Sequence, residues 1–486
     1  MQKSIKKNYI FNTAYQLLLL IVPFITTPYL SRVLGANGIG IYSYANSMVS
    51  YFTLIACLGT GTYGQRAISY VQDDKEKRSR AFWETFSFRL IMSLITLIFY
   101  GIYIYFVKEN RIIFIILAIN LINVIFEISW FFQGMEEFQK TVVRSSIVKI
   151  LNIIFIFTFI KDSNDLVLYT LGSLTLTLIG SMSLWAYLPK YIQKVKGIKP
   201  FRDIKTIFKL FLPTIAIQVY TLVDKSMIGW FSTGANYLEN GYYEQAEKVV
   251  RICLTLVTSL GTVMIPRIGK VYKEGNYEKI KEYMYKSYRF ILLLAIPVCL
   301  GLISISSIFV PIFFGPGYEK VELLLIILSF LAIIIGLSNA NGYQYLVPTG
   351  KENILTITVT AGAISNFLLN LILIPKYYSI GASISTIVAE TIVTLVGFIY
   401  IRKEKIFSLR KIVKDSLKYL ISGLIMFIGL LFIKQYLTTS VISLIILISS
   451  GAIIYVLFIL LLKDEFILKL YKDAINILKR KVNKQS

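Results

Sequence analysis

Apolar runs of about 20 residues recur from one end of the chain to the other, separated by short polar stretches. A helix of that length crosses the hydrocarbon of a bilayer. The pattern predicts about fourteen spans, near 9–30, 40–61, 83–106, 112–132, 142–160, 166–188, 208–230, 241–265, 288–310, 323–345, 354–374, 381–401, 417–434 and 441–462. A soluble chain of 486 residues would divide into domains with polar surfaces. This one reads as an all-α polytopic membrane protein.

The polar stretches differ in charge, and the difference sets orientation. Those after even-numbered spans are basic: Lys190, Lys194, Lys196, Lys199, Arg202 and Lys205 follow span 6, and Arg402, Lys403, Lys405, Arg410, Lys411 and Lys414 follow span 12. Lys3, Lys6 and Lys7 precede the first span, and Lys479, Arg480, Lys481 and Lys484 lie in the tail. Loops after odd-numbered spans hold at most two basic residues each, and the one at 232–240 holds none. Lysine and arginine mark the cytoplasmic side, so both termini are expected there. The first apolar run lacks a small-residue cleavage site and is too long for a signal peptide, so it is expected to remain.

A second pattern is internal repetition. GIYSYA at 40–45 returns as GYYEQA at 241–246, an offset of 201 residues that also places Arg66 on Arg267. SFRLI at 87–91 returns as SYRFI at 287–291, placing Arg89 on Arg289. Two six-helix lobes of parallel orientation follow, 1–205 and 206–402, related by a pseudo-twofold axis, with a C-terminal pair of spans and a basic tail at 403–486. Transporters built this way hold their site between the halves.

Composition narrows the chemistry. The net charge of +24 would suit a nucleic-acid partner, but its clustering in loops on one side accounts for it, and no nucleic acid is expected. The chain has no histidine, which removes the usual zinc ligand and proton relay. Cys57, Cys253 and Cys299 fall in apolar segments without ligand spacing. No metal or cofactor is expected. There is no phosphate-cradling glycine loop followed by lysine and no nucleophile elbow, so no enzyme is indicated.

What remains is charge at membrane depth, which is costly and normally faces a polar cavity. Asp224 and Lys225 sit inside span 7, and Glu247, Lys248 and Arg251 inside span 8. The repeat supplies a control: Glu247, Lys248 and Arg251 fall on the uncharged Asn46, Ser47 and Ser50. If span 8 starts at Gly241 as span 2 starts at Gly40, Arg251 lies about 15 Å deep at about 1.5 Å per residue. Arg251 is read as a lumen cation or as the ion-pair partner of Glu247 four residues earlier. Lys225 is read as a lumen cation with Asp224 as its orienter or a cation site, and Lys248 as a lumen group or a snorkelling one. Arg32 reads as a gate residue or an interfacial anchor; Arg66, Arg89, Arg267 and Arg289 read as cytoplasmic-interface anchors or, alternatively, as groups with a direct substrate role. Glu127 and Glu390 are isolated carboxylates, either carrying a coupling proton or satisfying neighbouring helix groups.

The segments TTPYLSRVLGANGIGIYSYA (26–45), EISWFFQGMEEF (127–138), VDKSMIG (223–229), NGYYEQAEKV (240–249), LVPTGKEN (346–353) and NLILIPKYYSIGASISTIVAE (370–390) resemble the Wzx-type flippases of bacterial polysaccharide synthesis. Their superfamily also holds MATE-type multidrug exporters and lipid II flippases. The resemblance covers spans 1–12 and implies a MATE-like fold in the bacterial inner or plasma membrane. The implied substrate is an oligosaccharide repeat unit on undecaprenyl pyrophosphate, with a polysaccharide polymerase and chain-length proteins as further partners. A pyrophosphate diester keeps about two negative charges, which arginine grips as a bidentate fork and lysine as a point charge. A multidrug antiporter on the same fold would want an acidic lumen, whereas the deep charges here lean basic. The polyprenyl tail is expected to need no more than lipid-facing apolar surface.

Overall fold

The computed structural model describes residues 5–232, 236–404, 409–464 and 466–467. Among these, helix follows helix and no β-strand occurs. In chain order they are α1 (Ile5–Cys57), α2 (Thr60–Ser69), α3 (Lys75–Phe106), α4 (Arg111–Phe126), α5 (Ser129–Gly134), α6 (Phe138–Phe159), α7 (Leu166–Ser183), α8 (Ile204–Phe231) and α9 (Leu238–Thr258). Then come α10 (Gly261–Lys273), α11 (Tyr277–Phe313), α12 (Glu319–Leu328), α13 (Leu331–Asn339), α14 (Glu352–Tyr377), α15 (Ser379–Lys403), α16 (Leu409–Lys434) and α17 (Val441–Leu461). Among the described residues ten stretches are long and apolar enough to cross a membrane, or up to eleven with the bent pair α9–α10. They coincide with expected spans 3–6 and 9–14, and the bent pair with span 8. Spans 1, 2 and 7 fall on α1 and α8, where some side chains lie outside the described residues; so do Lys3, Gly234 and the tail from Lys479.

The helix ends sharpen the sequence reading. Spans 1 and 2 are two arms of α1, divided at Gly35, whose φ of 68° and ψ of 171° break the helix where only glycine turns freely. The second arm stops at Cys57, earlier than expected; Leu58 and Gly59 turn with positive φ, and α2 begins at Thr60. At the 201-residue offset, α9 stops at Thr258 and α10 begins at Gly261. The repeat thus holds to the residue in backbone as well as sequence. Arg66 and Arg267 consequently sit on separate helices, α2 and α10, and not at the ends of spans.

By packing, the chain forms two compact units: 1–244 with 314–317 and 367–382, and 245–313 with 318–366 and 383–486. In the first, α1, α3, α4, α6 and α7 enclose a core around Val49, Leu117 and Leu121. The WFFQG segment builds a second core, with Trp130 stacked 5.5 Å from Phe82 and Phe131 edge-on at 5.3 Å. In the second unit α16 and α17 pack on α11. The buried face of α17 is Ser443, Leu447, Gly451, Tyr455 and Ile459, one residue per turn, while Ile442, Ile453 and Leu461 face outward. Ser443 and Gly451 let neighbours approach that face closely, while large aliphatics face outward, as on a helix whose solvent is lipid.

The interface-anchor reading of Arg89 and Arg289 is corrected. Both are buried, at 4% and 6% exposure. Arg89 donates to Thr60 Oγ1 at 2.8 Å and to the carbonyls of Val124 at 3.4 Å and Glu127 at 2.5 Å. Those carbonyls are the orphan acceptors at the broken end of α4. Arg289 instead pairs with Asp464 beyond α17, and donates to Tyr419 of α16 at 2.9 Å. One arginine caps a helix; its repeat partner ties the C-terminal pair to α11. Removing one partner of a buried pair costs about 3–5 kcal/mol by stranding the other. Asp464→Ala is therefore expected to destabilise the purified protein by about that amount and to speed hydrogen exchange in α16 and α17. Unchanged exchange there would show that apolar packing alone holds the pair.

Candidate functional site

Asp224 and Lys225 of α8 both find partners within the first unit. Asp224 and Lys225 are adjacent, so about 100° of helix separates their side chains. Asp224, 3% exposed, accepts hydrogen bonds from Tyr243 Oη at 2.6 Å and Asn370 Nδ2 at 2.7 Å. Lys225 Nζ lies 2.6 Å from Glu244 Oε2, and the same oxygen accepts from Ser43 Oγ at 2.9 Å. Glu244 was missed in the sequence. Its signal was available: at the repeat offset Glu244 falls on Ser43, the residue it touches.

The repeat-related helices also meet backbone to backbone. A Cβ on Gly40 would lie 1.8 Å from the Tyr237 carbonyl oxygen, and one on Gly241 1.9 Å from that of Ala36. The two contacts are equivalent under the 201-residue offset. No side chain fits at either position, so the glycines set how closely the second arm of α1 and the start of α9 approach. Tyr237 is held further by its N–H donating to Asn37 Oδ1 at 2.8 Å and by stacking on Tyr44 at 5.2 Å.

Farther along α9, in the second unit, Arg251 Nε and Nη2 lie 2.7 and 2.5 Å from Glu247 Oε1. The i,i+4 pair considered from the sequence is formed. Its arginine side chain is nonetheless 53% exposed, while the Glu247 carboxylate is buried. Lys248 is half-buried. Arg32 is exposed, donates to the Pro28 carbonyl of its own helix at 3.1 Å, and packs against Gly315.

Glu127 is not isolated: one oxygen accepts from Ser129 N–H at 2.7 Å, the other from Arg144 at 2.8 Å and Ser181 at 3.2 Å. It bridges the α4–α5 break, a helix-satisfying role. Glu390 is buried on α15. The LVPTGKEN segment has a structural use as well: Lys351 pairs with Glu404, which also accepts from Tyr345 Oη at 2.8 Å. Burial alone would raise the Glu404 carboxyl, but the hydrogen bonds from Lys351 and Tyr345 outweigh it and hold its pKa below the usual range. Last, an apolar groove of about 530 Å³ runs between α11, α16 and α17, lined by Leu293, Pro297, Gly301, Met426, Leu447 and Gly451 among others.

A model of the family described as "Polysaccharide biosynthesis protein" matches residues 5–272, more than half of the chain. The chain belongs to that family. Among curated relatives, the "Putative O-antigen transporter" of Escherichia coli (strain K12) is 25% identical over 83% of this chain and 98% of its own. The capsular polysaccharide biosynthesis protein CapF of Staphylococcus aureus is 27% identical over 65% and 80%. The solved lipid II flippase MurJ, in an inward closed conformation, shares the fold with a TM-score of 0.75 at 19% identity, covering 96% of this chain and all of the other. A member of this family with a MurJ-like fold is a polytopic membrane protein, as the apolar runs indicated.

The Lys225–Glu244 pair makes the site testable on its own terms. Lys225→Glu or Glu244→Lys alone puts two like charges beside each other in a half-buried position. Each is expected to lower the yield of monodisperse membrane-extracted protein severalfold, and the double reversal to recover it, by fluorescence-detected size-exclusion chromatography. A double reversal no better than the worse single would mean the two side chains are not coupled.

Proposed function

We propose that the protein is a flippase that moves oligosaccharide repeat units on undecaprenyl pyrophosphate from the cytoplasmic to the outer leaflet for surface polysaccharide assembly. The observation that carries this reading is family membership together with a chain-length MurJ-like fold. The membrane is the bacterial inner or plasma membrane, both termini are cytoplasmic, and a polymerase and chain-length proteins receive the product. The lobes 1–205 and 206–402 alternate access. Separation of the glycine contacts at Gly40 and Gly241 is then the step that opens the outer side.

Within this reading, the exposed Arg251 guanidinium, supported by Glu247, grips the pyrophosphate, with Lys225, Lys248 and Arg32 adding positive potential along the route. The prenyl tail lies along the groove between α11, α16 and α17, which gives the C-terminal pair a use and replaces the expectation that the tail needs no site. Asp224, between Tyr243 and Asn370, is the preferred coupling-ion carboxylate over Glu390 and over Glu127, which Arg144 already neutralises. The second reading, a lipid II flippase, is favoured by the fold likeness and by a MurJ relative in Bacillus subtilis, 23% identical over 82% of each chain. Rescue of cells depleted of their lipid II flippase would select it.

Export per unit of membrane-inserted protein tests the grip. Arg251→Gln is expected to abolish surface polysaccharide, Arg251→Lys to keep part of it because charge survives while the fork is lost. Glu247→Gln with Arg251→Gln removes both charges, and is expected to fold yet stay inactive. Full export from this neutral double variant would show that Arg251 serves only to neutralise Glu247.

A further inference from the structure

A cationic pocket lies in the first unit, lined by none of the residues of the transport reading. Its volume is about 420 Å³, and it is lined by Tyr63, Arg66, Tyr70, Lys77, Arg80 and Arg202 among others. Three elements build it: α2, the first turns of α3, and the segment leading into α8. Each contributes arginine or lysine to the lining: Arg66 from α2, Lys77 and Arg80 from α3, and Arg202 from the segment before α8.

The cations are held but not used up. Arg202 is fixed between Glu84 at 3.0 Å and Asp203 at 3.3 Å; burial would lower its pKa, but the two carboxylates outweigh that and raise it. Asp203, the only acid lining the pocket, also accepts from Tyr63 Oη at 2.5 Å. Lys77 and Arg80 make exposed pairs with Asp74 at 3.1 Å and Glu76 at 3.9 Å. Exposed pairs of this kind are weak and exchange readily for a better anion. Arg66 makes no ion pair among the described residues; its Nε donates to Tyr70 Oη at 2.8 Å and its guanidinium lies over that ring. Tyr70 and Phe201 beside it are exposed aromatics, the side chains that settle at the headgroup level of a membrane. A forked, partly unsatisfied cation cluster at that level matches a phosphate ester, and basic pockets between helices on this side are where lipid phosphates bind.

We propose that this pocket binds the phosphate headgroup of an anionic phospholipid from the surrounding leaflet, with Arg66 and Arg80 as its principal donors. The pocket is a lipid site independent of the transported substrate, and its occupancy ties α2 to α3 and to the start of α8. Free phosphates share the same chemistry, so the source has to be separated by experiment.

Protein in nanodiscs of phosphatidylcholine alone, or with phosphatidylglycerol, is compared by thermal unfolding and by native mass spectrometry of retained lipid. The wild type is expected to melt several degrees higher with phosphatidylglycerol and to retain it preferentially. Arg66→Gln with Arg80→Gln is expected to lose both effects while matching the wild type in phosphatidylcholine, which shows it folded. Arg66→Lys with Arg80→Lys should keep most of the effect. Equal phosphatidylglycerol retention by wild type and the Gln variant would overturn the site. Displacement of the retained lipid by submillimolar inorganic pyrophosphate would overturn the lipid assignment and give the pocket to the carrier's pyrophosphate. Failure of polysaccharide export in cells would bear on neither result.

Discussion

A charge inside hydrocarbon must be neutralised or solvated, and that constraint organises this molecule. Lys225 is met by Glu244, Asp224 by Tyr243 and Asn370, Glu127 by Arg144, and Arg289 by Asp464. Arg89 has no carboxylate among its described hydrogen bonds and is met by the carbonyls that a broken helix leaves bare. Each solution joins two or more helices, so the same groups that make insertion costly also fix which helices pack together. The breaks in the helices serve the same end. The α4–α5 break presents carbonyls to Arg89 and an N–H to Glu127, giving both a partner in one place.

The spans, their order and the repeat were legible because apolar run length and offset are properties of the sequence itself. The turns at Leu58–Gly59 and 201 residues on were not legible, since spans 2 and 8 were expected to run through them. Charge pairing was less legible, since it depends on which helices meet. Arg251 and Glu247 were readable because they share a helix face. Lys225 and Glu244 were not, because their contact joins α8 to α9, although the alignment of Glu244 on Ser43 pointed to it. Arg89 and Arg289 looked like anchors because each opens a span near a basic loop. Burial reversed that, and the two differ in partner although the repeat places one on the other.

The glycine pairs bring structure and function together. Gly40 and Gly241 let the second arm of α1 and the start of α9 touch backbone to backbone, beside the Tyr237–Asn37 hydrogen bond and the Tyr237–Tyr44 stack. Such a contact suits a surface that must part and re-form. The buried ion pairs beside it behave oppositely, since separating Lys225 from Glu244 would strand two charges.

The central claim is movement of a prenyl-pyrophosphate saccharide across a bilayer. Its most direct test is reconstitution of the purified protein into vesicles carrying a labelled lipid-linked oligosaccharide in the inner leaflet. Exposure of the saccharide to a membrane-impermeant sugar-oxidising reagent is then followed over time. The account predicts that exposure rises with protein and that Arg251→Gln abolishes the rise in equally loaded vesicles. Exposure no faster than in protein-free vesicles would contradict it.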